Sequence, residues 1–173
     1  MKKTLFVFAS AALLFSACNN SSNTTEATPA AEAPAAEAPA AEAPAAPLSD
    51  AVVTITGDDN MKFDLTEIKV KEGQNVKLTL KHAGKAPVVA MGHNFVLLDE
   101  GVDLEAFAQA AVAAKDNDYI PKDKEGEVIA HTKTIGGGES TEIEFTAPGK
   151  GTYDFLCSFP GHYGMMKGKF IVE

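Results

Sequence analysis

Several short runs in this chain alternate apolar and polar residues so strictly that they fit one kind of structure. Val76-Lys77-Leu78-Thr79-Leu80-Lys81 is the clearest, and it leads into His82. Met61–Leu65, Glu67–Val70 and Thr141–Phe145 repeat the pattern. A period of two places successive side chains on opposite faces, so each run predicts a strand with one face buried. Ala51–Ile55, Phe95–Leu98, Val128–His131, Thr152–Cys157 and Met166–Val172 are further strand candidates. Glu72-Gly73-Gln74-Asn75, Gly136-Gly137-Gly138 and Pro148-Gly149-Lys150-Gly151 punctuate them as turns. Many short strands with turns between them predict an all-β fold, an antiparallel Greek-key β-sandwich over residues 50–173. Leu104–Ala114 is the one helical stretch, rich in Ala, with Asp103 placed to cap it. It lies between strands, as an insertion resting on the sandwich.

The first 49 residues are of another character. Lys2 and Lys3 precede an apolar run, Leu5–Phe15, that is too short to anchor stably across a bilayer. Ser16 and Ala17 then lead to Cys18. Residues 1–17 are expected to be an export signal of the lipoprotein kind, with Cys18 lipidated as the first mature residue. Residues 18–49 repeat Ala-Ala-Glu-Ala-Pro, with prolines at 29, 34, 39 and 44. That period holds no large apolar side chain and interrupts any helix, so it predicts a disordered, extended acidic linker. At about 3.1 Å per residue, roughly thirty residues reach at most ~90 Å.

Chemistry concentrates near the C-terminus, in Cys157-Ser158-Phe159-Pro160-Gly161-His162-Tyr163-Gly164-Met165-Met166. The spacing Cys-x4-His-x3-Met offers a thiolate, an imidazole and a thioether from one loop. Met91-Gly92-His93-Asn94-Phe95 supplies a second imidazole. Taken singly, each residue suits a turn or a core. Together, two His, a Cys and a weak Met are the donor set of a blue-copper electron-transfer centre. Structural zinc sites use paired Cys or His spacings and no Met. A Cys–His nucleophile would leave His93 and Met166 without a role. The 173 residues carry a formal charge of -9, which argues against a basic nucleic-acid-binding surface. The two cysteines, Cys18 and Cys157, both have other roles in this reading, so no structural disulfide is expected.

The motifs Met91-Gly92-His93-Asn94, Ala130-His131-Thr132-Lys133 and Cys157–His162 with Met166-Lys167-Gly168 resemble those of the azurins, within the cupredoxin family. The resemblance covers about residues 50–173. Four residues between the loop Cys and His, rather than two, set it apart from plastocyanin-like relatives. The signal and the Ala-Ala-Glu-Ala-Pro repeats resemble lipid-modified azurins of Gram-negative outer membranes. The resemblance implies copper held in a plane by His93, Cys157 and His162, with Met166 as a long axial ligand and the Gly92 carbonyl on the other side. It implies that Asn94 ties the ligand loops together, that His82, eleven residues before His93, is either a His whose protonation is coupled to copper or one with a purely structural role, and that His131 is a surface His. Three features depart from the family. The disulfide that staples the N-terminal strand is missing, Phe95 stands where Trp is common, and Tyr163-Gly164-Met165 replaces small residues at the docking face.

The function implied is single-electron shuttling, with His162 partly exposed inside an apolar patch of Met91, Phe159, Pro160, Gly164 and Met165. Redox partners such as c-type cytochromes or a reductase would dock there, and the acidic body would favour a basic partner. The location implied is the cell envelope, held to the outer membrane by lipid on Cys18. Copper storage or delivery is the alternative, but such proteins have open Met- or His-rich sites. An oxidase or nitrite reductase would need more histidines than the four in this chain, so no enzymatic activity is expected.

Overall fold

The structure is a computed structural model and describes residues 48–173. The export signal of 1–17, the lipidation of Cys18 and the tether up to residue 47 lie outside the described residues. Eight strands make two sheets. They are β1 (Ala51–Gly57), β2 (Glu67–Val70), β3 (Asn75–His82), β4 (Val96–Leu98), β5 (Val128–His131), β6 (Ser140–Thr146), β7 (Gly151–Leu156) and β8 (Lys167–Val172). One sheet has the order β1-β3-β6 and the other β2-β8-β7-β4-β5. The fold is the expected β-sandwich, but its sheets are mixed. β1 runs parallel to β3 and β2 runs parallel to β8, while the remaining neighbours are antiparallel.

The alternating runs bury their apolar faces between the sheets, where Ile55, Ile68, Val76, Leu78, Leu80, Phe155 and Phe170 form the main core. β4 differs because all three of its residues are buried. Leu97 faces the main core, while Val96 and Leu98 join Leu156, Phe107, Ala108 and Ile120 in a second core. A strand covered on both faces has no polar side to show, which is why its sequence is a plain apolar run. The second core is roofed by α2 (Leu104–Ala111), whose Asp103 cap accepts from the backbone N–H groups of Glu105 and Ala106 at 3.0 and 3.1 Å.

Two expectations need correction here. The helix stops at Ala111 rather than Ala114, because the chain tightens into turns with bonds from Ala113 N–H to Ala110 O and Ala114 N–H to Ala111 O. Met61–Leu65 is not a strand. The Asp58 carboxylate accepts from the backbone N–H of Asn60 and Lys62, curling the segment and placing Met61 at φ 56°. The segment's contact with the sheet is limited to an isolated bridge between Phe63 and Gly57 and to Asp64, which bonds to Thr56 through its N–H and its carboxylate. The sequence also gave no sign of the short helix α1 (Val88–Met91).

No disulfide holds β1, since Cys157 is free and is the only cysteine among the described residues. Its place is taken by pairing of the whole of β1 with β3, from Ala51 opposite Val76 to Gly57 opposite His82. Ile55 is fully buried, and Asp50 meets Lys77 at 2.9 Å.

Candidate metal centre

Two segments deliver the candidate ligands. His93 follows α1 and is pinned by a reciprocal bridge: its N–H donates to Ile135 O at 2.9 Å, and Ile135 N–H returns to His93 O at 2.8 Å. Cys157 directly follows β7, and its N–H donates to Met166 O at 2.9 Å. The intervening loop closes on itself, with Met165 and Met166 both donating to His162 O. Gly161 makes the tight return at φ 84°, a left-handed conformation that favours glycine. One closed loop therefore carries Cys157, His162 and Met166.

The side chains converge. Cys157 Sγ lies 3.6 Å from His162 Nδ1, 4.0 Å from His93 Nδ1 and 3.9 Å from the Gly92 carbonyl oxygen. The sulfur and the two histidines offer ligand atoms that all lie within 4.8 Å of one another. With sides of 3.6 and 4.0 Å and a third of at most 4.8 Å, the point equidistant from the three atoms is roughly 2.5 Å or less from each, near the ~2.0–2.3 Å of metal bonds to nitrogen and sulfur. Cys157, His93 and Met166 are fully buried, and His162 is 3 % exposed. Met166 packs beside the His93 ring, where both crowd the α-carbon of Gly57. The donor set of thiolate, imidazoles and thioether is soft enough for copper in either common oxidation state.

Neighbouring groups fix the proton positions. His93 Nε2 donates to Asp58 O at 2.9 Å, which leaves the Nδ1 lone pair facing the sulfur. Burial lowers the His93 pKa, and it pushes His162 down to about 4, with the neighbouring imidazoles adding to the effect. Both rings are thus held neutral, as ligands must be. Burial pushes the Cys157 thiol up to about 12, so the free thiol keeps its proton until a cation displaces it.

Asn94 links the two segments. It is fully buried. Its Nδ2 donates to Ser158 Oγ at 2.8 Å, and its Oδ1 accepts from Ser158 N–H at 2.8 Å. Met165 is 55 % exposed and stands outside the cluster, so Met166 is the methionine beside it. His131 is on the surface, and His82 is buried against the His93 ring.

Three outcomes differ from expectation. His162 is more buried than a partly exposed ligand would be. Phe159 is buried rather than part of an exposed apolar patch, and the exposed large apolar side chains include Val88 and Val89 as well as Met165. Tyr163 packs against the second core. Gly57 and Asp58 escaped sequence reading altogether, since one acts by having no side chain and the other through a backbone carbonyl.

Comparison with known proteins agrees with this geometry. The family described as copper binding proteins, plastocyanin/azurin family, matches residues 50–173. The chain is 40% identical over 181 residues to the outer membrane protein H.8 of Neisseria gonorrhoeae, covering 98% of this chain and 97% of that protein. It is 42% identical over 125 residues to azurin-1 of Alcaligenes xylosoxydans xylosoxydans, covering 69% and 95%. Among solved structures, auracyanin A, a "blue" copper protein from Chloroflexus aurantiacus, superposes with a TM-score of 0.64 at 35% identity, covering 72% and 99%. His93, Cys157, His162 and Met166 form the donor arrangement of a type-1 copper centre, the site of a one-electron carrier. The chain belongs to the plastocyanin/azurin family of copper-binding proteins, and within it to the azurin-like members.

Proposed function

We propose that His93, Cys157 and His162 are the strong ligands of a single copper ion, with the Met166 thioether and the Gly92 carbonyl as weaker ones and Asn94 as the support between the ligand segments. One observation carries this assignment: three buried donor atoms of the right chemistry meet within 4.8 Å. Bound copper would supply a one-electron couple and a thiolate charge-transfer band. The chain supplies the rest. The loop closed by the His162 carbonyl holds its donors in place, the surrounding core excludes water, and Asp58 keeps the His93 proton on Nε2. A site that is already formed and buried has little to rearrange when charge changes, which suits rapid transfer.

The chain is an azurin-like carrier, and we read it as having no catalytic turnover of its own. Of its four histidines, two are in the site and His82 is engaged by backbone groups, which leaves His131. Redox proteins are its partners. The finer reading is that c-type cytochromes or a reductase dock near His162 on the apolar surface of Val88, Val89 and Met165, through a small, short-lived interface. A formal charge of -9 favours partners with basic rims and makes association salt-sensitive. Export to the cell envelope accords with the relatives. The finer reading is that residues 1–17 are removed, Cys18 carries lipid, 18–49 tether and 50–173 form the copper domain.

The assignment is tested by adding copper(II) to the purified protein and to a Cys157→Ser variant. An intense blue band in the first and none in the second is expected. A colourless or pale wild-type product would overturn it.

A further inference from the structure

Two adjacent non-glycine residues, Asp118 and Tyr119, have left-handed backbones, with φ of 51° and 59°. Each such residue costs on the order of 1–2 kcal/mol, so a pair persists only where surrounding contacts over-determine it. Successive carbonyls in a helical conformation point the same way, whereas in an extended chain they alternate. The strained pair thereby aims two carbonyls at one target. Asp118 O accepts from Asn94 Nδ2 at 2.7 Å, and Tyr119 O accepts from Ser158 Oγ at 2.9 Å. The Asp118 carboxylate turns another way and accepts from the backbone N–H of Thr134 at 2.7 Å. Thr134 precedes Ile135, the residue that bridges His93 in both directions. The Tyr119 ring meets Phe159 edge-on at 5.0 Å, and Phe159 lies 4.7 Å from the His162 ring.

One turn thus touches both ligand-bearing segments and the strand-like stretch that pins His93. We propose that Asp118 is a positioning residue for the copper site, fixing His93 through Thr134 and Ile135, and Cys157 through Asn94 and Ser158. This rests on the ligand assignment above. It accounts for the strain, because relaxing either residue to an ordinary conformation would turn a carbonyl away from Asn94 or Ser158. It also gives Asn94 a further anchor, since the fully buried amide bonds to Asp118 as well as to Ser158.

The test compares the full chain with Asp118→Gly and Asp118→Asn. Glycine keeps the left-handed backbone and loses the carboxylate; asparagine keeps both the backbone preference and an acceptor. In the copper-free protein, amide hydrogen exchange at Thr134 and His93 should rise about tenfold or more in Asp118→Gly, while Leu78 and Leu80 in β3 stay unchanged. In the copper-loaded protein, Asp118→Gly should shift the copper(II) hyperfine splitting and weaken copper affinity roughly 10–100-fold, as loss of a ligand's supporting bond does. Asp118→Asn should resemble the wild type in both. Unchanged His93 exchange and an unchanged hyperfine splitting in Asp118→Gly would overturn the proposal. Should Asp118→Gly not fold, wild-type exchange decides. Thr134, His93 and Ser158 amides opening together support the coupling, and a fast-exchanging Thr134 beside a protected His93 overturns it. Failure of the copper assignment would show separately, as a wild type with no blue band, and the exchange data on copper-free protein would still stand.

Discussion

The α-carbon of Gly57 is packed against the imidazole of His93: a Cβ added there would lie 2.7 Å from His93 Cδ2 and 3.1 Å from the Met166 methyl. The end of an edge strand therefore abuts two of the candidate ligands. Gly57→Ala should force the ring or the strand to move. We expect a loss of about 1–3 kcal/mol in denaturant unfolding, typical of an overpacked site, together with a shifted blue band. An unaltered absorption spectrum would mean that the end of β1 yields instead.

His82 supports the same ring from its other contacts. The His82 and His93 rings stack at 4.2 Å and 14° from parallel. His82 Nε2 donates to Met91 O at 2.7 Å, and its Nδ1 accepts from Gly84 N–H at 3.0 Å. His82→Phe preserves a flat ring but strips both backbone groups of their partner. Unfolding should show a loss of roughly 1–3 kcal/mol. The copper spectrum should change little, because the ring that contacts His93 remains. A loss of the blue band would assign His82 a larger part in the site than support.

Much of this was legible in the sequence because its signals are local. Alternation in Val76–Lys81 gave a strand with one buried face, and Cys-x4-His-x3-Met gave three donors on one loop. What escaped was carried by the backbone or by tertiary context. Asp58 holds His93 with a carbonyl, and every residue has one. Met61–Leu65 alternates like a strand, yet the Asp58 carboxylate captures the amides of Asn60 and Lys62 and curls its start. Asp118 and Tyr119 show nothing in their identities that demands a left-handed backbone; packing on the ligand segments imposes it.

Val89 is 72 % exposed and Met165 55 % exposed, and neither contributes to the described cores. If partners dock on this surface, charge placed there should slow electron transfer without touching the site. Val89→Asp and Met165→Glu should each retain the wild-type blue band. Stopped-flow mixing with a reduced c-type cytochrome should show rates lower by roughly tenfold, mainly from weakened encounter complexes. Unchanged rates at both positions would move the docking face elsewhere.

Acid should destabilise the copper-free protein through its own candidate ligands. Burial holds His162 at about 4, below its ordinary value of 6.5, and lowers His93 as well. The folded state therefore binds these protons less readily than the unfolded state. Stability is complete above the unfolded value and is lost as pH falls through the window from 6.5 to about 4. Thermal unfolding followed across that range should show the melting temperature dropping with acidification. His162→Phe removes one of the two groups and should flatten the slope. Bound copper occupies the same nitrogen lone pairs, so the loaded protein should resist acid to a lower pH than the copper-free form. Parallel acid curves for wild type and His162→Phe would show that His162 contributes nothing to the slope.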